Sequence, residues 1–320
     1  MNRRDFIKGA ALLGGAAQMG CKSLIGCGKR GINEDLAVFL SDIHVDGRAQ
    51  GVSQQDELLN RWIDEILGND ELPAHVFLLG DIAVDIGLKA DYERVRPFFK
   101  RITDAGIQLH LTMGNHDHRA AFYEVFPEYK ERSPVPGKLV EVVHLKHLDI
   151  IMFDSLKDDV SKPDAYNQVA GTFNDDVYDW MATELPRWSR PVILCSHHPI
   201  SEIFKVDAEG NPIKGSSLMS IYGKNPNLIG YICGHRHCWT PAWTRRMGCD
   251  NKEYRILTIP SAGWWGEIGY AYFRMSENIA TAELQMRDFF VHPIERPKPR
   301  SELAQMIIKE GQGRTCSFCY

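Results

Sequence analysis

An α/β fold is what this sequence predicts, and three observations predict it. Short apolar runs rich in Val, Ile, Leu and Phe recur along the chain as buried strands. Helical patterns separate the first of these runs, and five of the runs each end in a polar cluster. The clusters are Asp42-Ile43-His44, Gly80-Asp81, Gly114-Asn115-His116-Asp117, His197-His198-Pro199 and Gly234-His235-Arg236-His237. They gather at one sheet edge, and in α/β sheets the edge outside the carboxyl ends of parallel strands is where ligands bind.

In chain order, Leu36 to Leu40 reads as the first strand. Ser53 caps a helix to about Leu67, in which Leu58, Leu59, Trp62, Ile63 and Ile66 form an apolar stripe. His75 to Leu79 is the second strand, Asp91 to Asp104 a helix stopped by Gly106, and Ile107 to Met113 the third strand. These β-helix-β steps bring Asp42, Asp81 and Asn115 to adjacent strand ends. Leu139 to Leu145 and Asp149 to Phe153 form a hairpin with His144 and His147 at its turn. Gly171-Thr172-Phe173 leads a helix containing Trp180 and Leu185, ahead of strands Val192 to Cys195 and Leu228 to Cys233. Trp239 to Arg245, Tyr254 to Ile259, Gly269 to Met275 and Ile279 to Met286 are then expected to complete a second sheet. The tail, residues 291–320, is Pro- and charge-rich to Arg300 and is expected to wrap the surface before a short helix near Ser301 to Glu310.

A chain of 320 residues with 44% hydrophobic composition can bury a full core. One domain over residues 31–290 fits best, because polar clusters spread from Asp42 to His237 must converge on one site. The net charge of -5, without a basic run beyond the amino terminus, disfavours a nucleic-acid polymer as partner.

The five clusters together resemble the hallmark of the calcineurin-like metallophosphoesterases: D-x-H, G-D, G-N-H-D/E, H and G-H-x-H in this order. A lone D-x-H or G-D carries no signal, whereas G-N-H-D and G-H-R-H at strand ends are rare and the set is specific. The resemblance spans most of residues 33–290. It implies a four-layer architecture, two packed mixed β-sheets flanked by helices, and hydrolysis of a phosphoester by attack of a metal-bound hydroxide. It also implies two divalent or mixed-valence metal ions. Asp81 is the natural bridging carboxylate; Asp42, His44 and His237 would join it on one ion, and Asn115, His197 and His235 on the other. Such N/O ligands suit Mn, Fe, Zn or Ni, and the sequence does not rank them.

The family pattern places the ligand two residues before proline, selecting His197 and leaving His198 in a supporting position with Arg236. His116 corresponds to the histidine that contacts the phosphoryl group, stabilising charge or protonating the leaving group. Asp117 either orients that imidazole or caps the following turn. Val84 stands where protein Ser/Thr phosphatases carry an acid and purple acid phosphatases a tyrosine, which leaves the partner of His116 open. The nearer likeness is to the phosphodiesterase-like branch, with G-N-H-D, H-H-P and G-H-x-H. A phosphomonoesterase, a lipid-pyrophosphate hydrolase and a non-catalytic binding protein are the alternatives. His75, His110, His144 and His147 read as structural, and His118 as a loop residue near the site. Trp239, Trp243, Trp264 and Trp265 either pack or stack a base or sugar.

Residues 1–30 read as an export signal and leader. Arg3-Arg4, then Phe6 and a Gly/Ala-rich stretch from Gly9 to Gly20, match a twin-arginine signal, making the export machinery a partner and the periplasm or cell envelope the destination. The stretch is too short and Gly-rich to span a bilayer stably. Leu24-Ile25-Gly26-Cys27 resembles a lipoprotein processing box, with Cys21 as alternative; the outcomes are a lipid anchor on Cys27 or a soluble exported form. Cys195 and Cys233 read as small core residues, and Cys238, Cys249, Cys316 and Cys319 as candidates for disulfides.

Overall fold

Successive residues of a strand face opposite sides of its sheet, and here both sides are apolar, so each sheet needs a cover on both. The computed structural model describes residues 31–156, 171–173, 175–204, 218–245, 253–290 and 314–320, and it meets that need with four layers: helices, sheet, sheet, helices.

The chain enters through β1 (Ile32–Leu40), α1 (Gln54–Gly68), β2 (Leu72–Leu79), α2 (Lys89–Asp104) and β3 (Gln108–Thr112). β1, β2 and β3 are parallel neighbours, which aligns the carboxyl ends that precede the first three polar clusters. Helix α1 starts at a closed capping box: Ser53 Oγ accepts from the Asp56 amide at 3.2 Å, and the Asp56 carboxylate accepts from the Ser53 amide at 2.8 Å. Two short helices that the sequence pattern does not announce follow, α3 (Arg119–Val125) and α4 (Glu128–Arg132). His118 caps α3 through Nδ1, which accepts from the Ala121 amide.

Next come the expected hairpin β4 (Val140–His144) and β5 (Asp149–Phe153), then β6 (Gly171–Thr172), α5 (Asp175–Glu184), β7 (Val192–Cys195) and β8 (Ile203–Phe204). α6 (Leu218–Lys224), β9 (Leu228–Cys233), β10 (Thr240–Arg245), β11 (Glu253–Thr258), β12 (Gly266–Met275), β13 (Ile279–Phe290) and β14 (Thr315–Cys319) complete the order. One mixed sheet runs β14-β13-β12-β1-β2-β3 and the other β10-β11-β9-β7-β5-β4.

Alternation assigns the layers. Val38 and Leu40 of β1, with Val76 and Leu78 of β2, face Leu59, Trp62 and Ile63 of α1 and Tyr92 and Val95 of α2. Ala37, Phe39, Phe77 and Leu79 face the other way and meet Ile193, Cys195 and Ile232 between the sheets. Phe39 and Phe77 stack at 4.8 Å there. Val192, Leu194 and Tyr231 face Val177, Met181, Ile221 and Tyr222 of the outer helices.

Two expectations about the chain's second half are corrected. The four late β segments do not all extend the second sheet: β10 and β11 do, whereas β12 pairs antiparallel with β1, and β13 with β12. The free edge of β1 needs a partner, and Ala271, Phe273 and Met275 of β12 extend the inter-sheet core while Ile268 and Tyr270 pack on the α1 side. The compact unit also runs from Gly31 to Tyr320 and does not close at residue 290, because β14 pairs with β13 and buries Cys316 and Phe318 between the sheets. The helix expected near Ser301 to Glu310 lies outside the described residues, as do the leader and Cys249. Cys316 and Cys319 sit three apart on one strand and therefore face opposite sides; both are free thiols, one buried and one exposed. Cys195 and Cys233 are buried as expected. Among the described residues no helix is long and apolar enough to cross a membrane.

Candidate metal centre

The five polar clusters meet at the carboxyl ends of β1, β2, β3, β7 and β9, and their backbone is strained there. Asp42, His44, Asp81, His235 and His237 have φ of 55°, 48°, 49°, 69° and 50°, and among the described residues they are all of the non-glycine positions with positive φ. Asp and His tolerate this left-handed region better than most side chains, and strain of about 1–3 kcal/mol per residue persists only where the surroundings hold it. Hydrogen bonds between loops do so here. Asp42 N donates to Gly80 O at 3.1 Å, His44 N to Asp81 O at 3.0 Å, and His235 N to Asp42 Oδ2 at 3.1 Å.

The side chains form two adjoining groups. In one, His237 Nε2 lies 3.0 Å from Asp42 Oδ1 and 3.3 Å from His44 Nε2. In the other, His197 Nε2 lies 3.1 Å from Asn115 Oδ1 and 3.0 Å from His235 Nδ1. Asp81 Oδ2 stands between them, 3.7 Å from His44 Nε2 and 3.2 Å from His197 Nε2. Asp42, His44, Asp81 and His197 are at most 2% exposed.

Most of the imidazoles are aimed by a partner on the far nitrogen. Because a carbonyl only accepts, Nδ1–H of His197 donates to Leu79 O, that of His237 to Trp265 O and that of His116 to Asp85 O, each at 2.9 Å, which leaves Nε2 facing the cluster. His116 thus finds its partner in the backbone of Asp85. His235 is the inverse case: Nδ1 faces the cluster, and Nε2 lies 3.3 Å from Glu202 Oε2.

Burial and mutual charge set the protonation. Burial pushes Asp42 up, but His237 and His197 outweigh it and hold the carboxyl below its ordinary range. Asp81 is held low in the same way by His197 and His116 against its burial. Burial drives His44 down to about 3 and, with His197, His235 down to about 4, so both are neutral at pH 7. Burial also lowers His197, yet Asp81 and Asp42 raise it to about 9.

These features fit bound cations. The imidazole nitrogens of His197 and His235 lie 3.0 Å apart and those of His44 and His237 3.3 Å apart, close enough for each pair to be held by one cation. Asp42 Oδ1 is buried without a hydrogen-bond partner, and ligand atoms of Asp42, His44 and His237, of Asp42, Asp81 and His197, of His44, Asp81 and His116, and of His197, His198 and His235 each fall within 4.8 Å of one another.

Asp117 does not touch the His116 imidazole. Its carboxylate accepts from the amides of Ile82, Ala83 and Gly114 and from the Tyr92 hydroxyl, so it staples the Gly80-Asp81 loop to the Gly114-Asn115 loop. Burial and the Asp81 charge raise it to about 6. His198 is buried, with Nδ1 2.6 Å from Ser155 Oγ. Arg236 reaches outward to pair with Glu202. His75 and His110 join Glu141 in a chain away from the cluster, while His144 and His147 contact Asp149 and Asp35.

Sequence pattern does not reveal Glu202 or the Asp85 carbonyl, since neither belongs to a motif. Of the four tryptophans, Trp264 packs 4.6 Å from His44 and 6.4 Å from His116 between ring centroids, and Trp265 lies 4.2 Å from His237. Trp239 is buried, and the side chain of Trp243 is outside the described residues.

The fold is similar to that of a dimetal phosphatase from Danio rerio, at 12% identity and a TM-score of 0.58 over 79% of this chain and 96% of that one. It is also similar to PhoD, at 13% identity and a TM-score of 0.51 over 81% and 67%. No curated protein sequence matches significantly. The family model for calcineurin-like phosphoesterase matches residues 37–239, which contain all five clusters, and the chain accordingly belongs to that family of metal-dependent phosphoester hydrolases.

Proposed function

We propose that this protein is an exported two-metal phosphodiesterase acting on a small-molecule or lipid phosphoester. The observation that carries the two-metal reading is Asp81 Oδ2, reached by His44 from one side and His197 from the other. In this reading Asp42, His44, Asp81 and His237 hold one ion, and Asp81, Asn115, His197 and His235 the other. Metal ions held by these residues would supply a water of lowered pKa and positive charge against the phosphoryl group. The protein's own part is orientation. The carbonyls of Leu79, Trp265 and Asp85 hold three imidazoles by Nδ1. His116 Nε2 is presented beside His44 and Asp81, where a proton on it can be donated to a phosphoryl oxygen or to the departing alkoxide.

Preference for a diester is supported by where the nearby arginines are engaged. A monoester dianion calls for a cationic clamp. Arg119 is buried against Asp154 and the Leu156 carbonyl, and Arg236 pairs with Glu202, so both arginines adjacent to the motifs are committed to the protein. The test compares kcat/KM for bis(p-nitrophenyl) phosphate and p-nitrophenyl phosphate at matched pH and metal. Preference for the monoester with every metal defeats the diesterase reading and favours a phosphomonoesterase. His116→Ala is expected to lower turnover roughly 10²-fold with both metals retained; metal loss instead makes His116 a ligand.

Export rests on Arg3-Arg4 and the Gly/Ala-rich stretch after it. Replacing both arginines with lysine is expected to retain the protein in the cytoplasm, and Cys27→Ala to release it from the membrane fraction if a lipid anchors it. Unchanged export of the lysine variant defeats the twin-arginine reading.

A further inference from the structure

His116, His197 and His237 are each held through Nδ1 by a backbone carbonyl, a partner with no net charge. His235 differs. Its cluster-facing atom is Nδ1, 3.0 Å from His197 Nε2, and its outer nitrogen lies 3.3 Å from a carboxylate oxygen of Glu202. That carboxylate is only 16% exposed, and its other oxygen is taken by Arg236, the residue next to His235.

We propose that Glu202 is the positioning residue for His235 and, through it, sets the affinity of the second metal position; this rests on the two-metal reading above. With the imidazole proton on Nε2, directed at Glu202, the lone pair on Nδ1 points to where His197 Nε2 and Asn115 Oδ1 converge. At 3.3 Å the contact is longer than the 2.9 Å carbonyl bonds, and what distinguishes it is charge: an ionised partner on the outer nitrogen renders the ligating nitrogen more basic, which strengthens its bond to a cation. His235 sits at φ 69° on a loop between Gly234 and Arg236, whose amides donate to His197 O and Gly234 O.

The position of Glu202 makes the arrangement mutual. It ends the single 3-10 turn Ile200–Glu202 that follows Pro199, so the segment leaving β7 supplies both a ligand, His197, and the anchor of the facing ligand. Arg236 closes the loop from the opposite side by pairing with Glu202, and its charge offsets the carboxylate beside the cluster. Arg236 is thereby turned into a fastener of the loop and away from the substrate.

The experiment titrates metal-free wild type, Glu202→Ala and Glu202→Gln with Zn²⁺ against a chromogenic chelator, and with Co²⁺ by its visible absorption. Melting of each metal-free protein reports folding. Outer partners of metal-bound histidines are worth roughly 10–100-fold in metal affinity, so Glu202→Ala is expected to weaken one of the two equivalents by that factor and leave the other unchanged. Glu202→Gln, whose amide oxygen still accepts from Nε2–H, is expected to recover part of the loss. If Glu202→Ala fails to fold, the Gln variant decides: weakening of one equivalent alone supports the proposal. Wild-type affinity for both equivalents in a folded variant overturns it, as does equal weakening of both. Wild type that binds fewer than two equivalents overturns the two-metal reading itself and the proposal with it.

Discussion

Gly114→Ala isolates how little room the centre has. Gly114 has no positive φ, so the backbone there accepts alanine and only space opposes the new methyl. A Cβ would lie 2.6 Å from Asp81 N and 2.7 Å from His197 Cγ, and closer still to Asp81 Oδ1. Ordinary contact begins at 3.4 Å, so these atoms must retreat by about 0.8 and 0.7 Å. Neither is the end of a flexible side chain. The Asp81 backbone is tied to His44 N, the Asp81 carboxylate accepts from His116 N at 2.9 Å, and His197 is held by Leu79 O. Overpacking of this kind costs about 1–3 kcal/mol. Its effect on the site is larger, because metal-ligand distances hold within about 0.2 Å and misplacement by about 1 Å can cost roughly 10²-fold in rate. The expected outcome is a folded protein with a modest loss of stability, impaired metal binding and turnover down about 10²-fold. Urea unfolding of the metal-free form, metal content by mass spectrometry and kcat after reloading measure the three. A variant with two tightly bound metals and wild-type kcat refutes the argument that Gly114 is there to seat Asp81 against His197.

Arg119→Met leaves the Asp154 carboxylate buried without its guanidinium and should cost about 3–5 kcal/mol by urea denaturation; a loss under about 1 kcal/mol contradicts a buried pair. Burial, with His110, lowers His75 to about 4, so the fold holds it neutral. For a base with a depressed folded pKa, that stability is present above the unfolded value of about 6.5 and lost as pH falls toward 4. Going from pH 7 to pH 5, His75→Gln should therefore lose about 2 kcal/mol less stability than wild type, and parallel curves exclude the linkage. Stripping the metals should lower the melting temperature and reloading restore it, since the ions bind only the folded ligand set; at 100 times Kd the difference is about 2.7 kcal/mol for each ion. Identical melting with and without metal contradicts it.

Much of the centre was legible because strand periodicity is local. Continuous apolar runs in Leu36 to Leu40 and His75 to Leu79 require two covered faces, and a polar cluster directly after each strand has to emerge at its carboxyl end. The capping box at Ser53 is equally local, with both partners inside one turn. The distribution of the late strands was not legible. β10 and β12 are both extended, and which free sheet edge each one joins depends on backbone hydrogen bonds that any sequence can make.

By itself, then, the sequence determined the residue types and their order: carboxylates, imidazoles and an amide at five strand ends, in the pattern the family model matches. Tertiary structure alone decided how they are aimed. His116 is held by the carbonyl of Asp85, an atom every residue carries, so no side chain announces it. Asp117 looked equally suited to orient His116 or cap a turn, and its actual donors include amides of Ile82 and Ala83, some 35 and 34 residues away. Glu202 acquires meaning only because the turn after β7 faces the loop after β9. A ligand's identity is a property of its own side chain and can be read in place, whereas its orientation depends on partners that the fold brings from elsewhere.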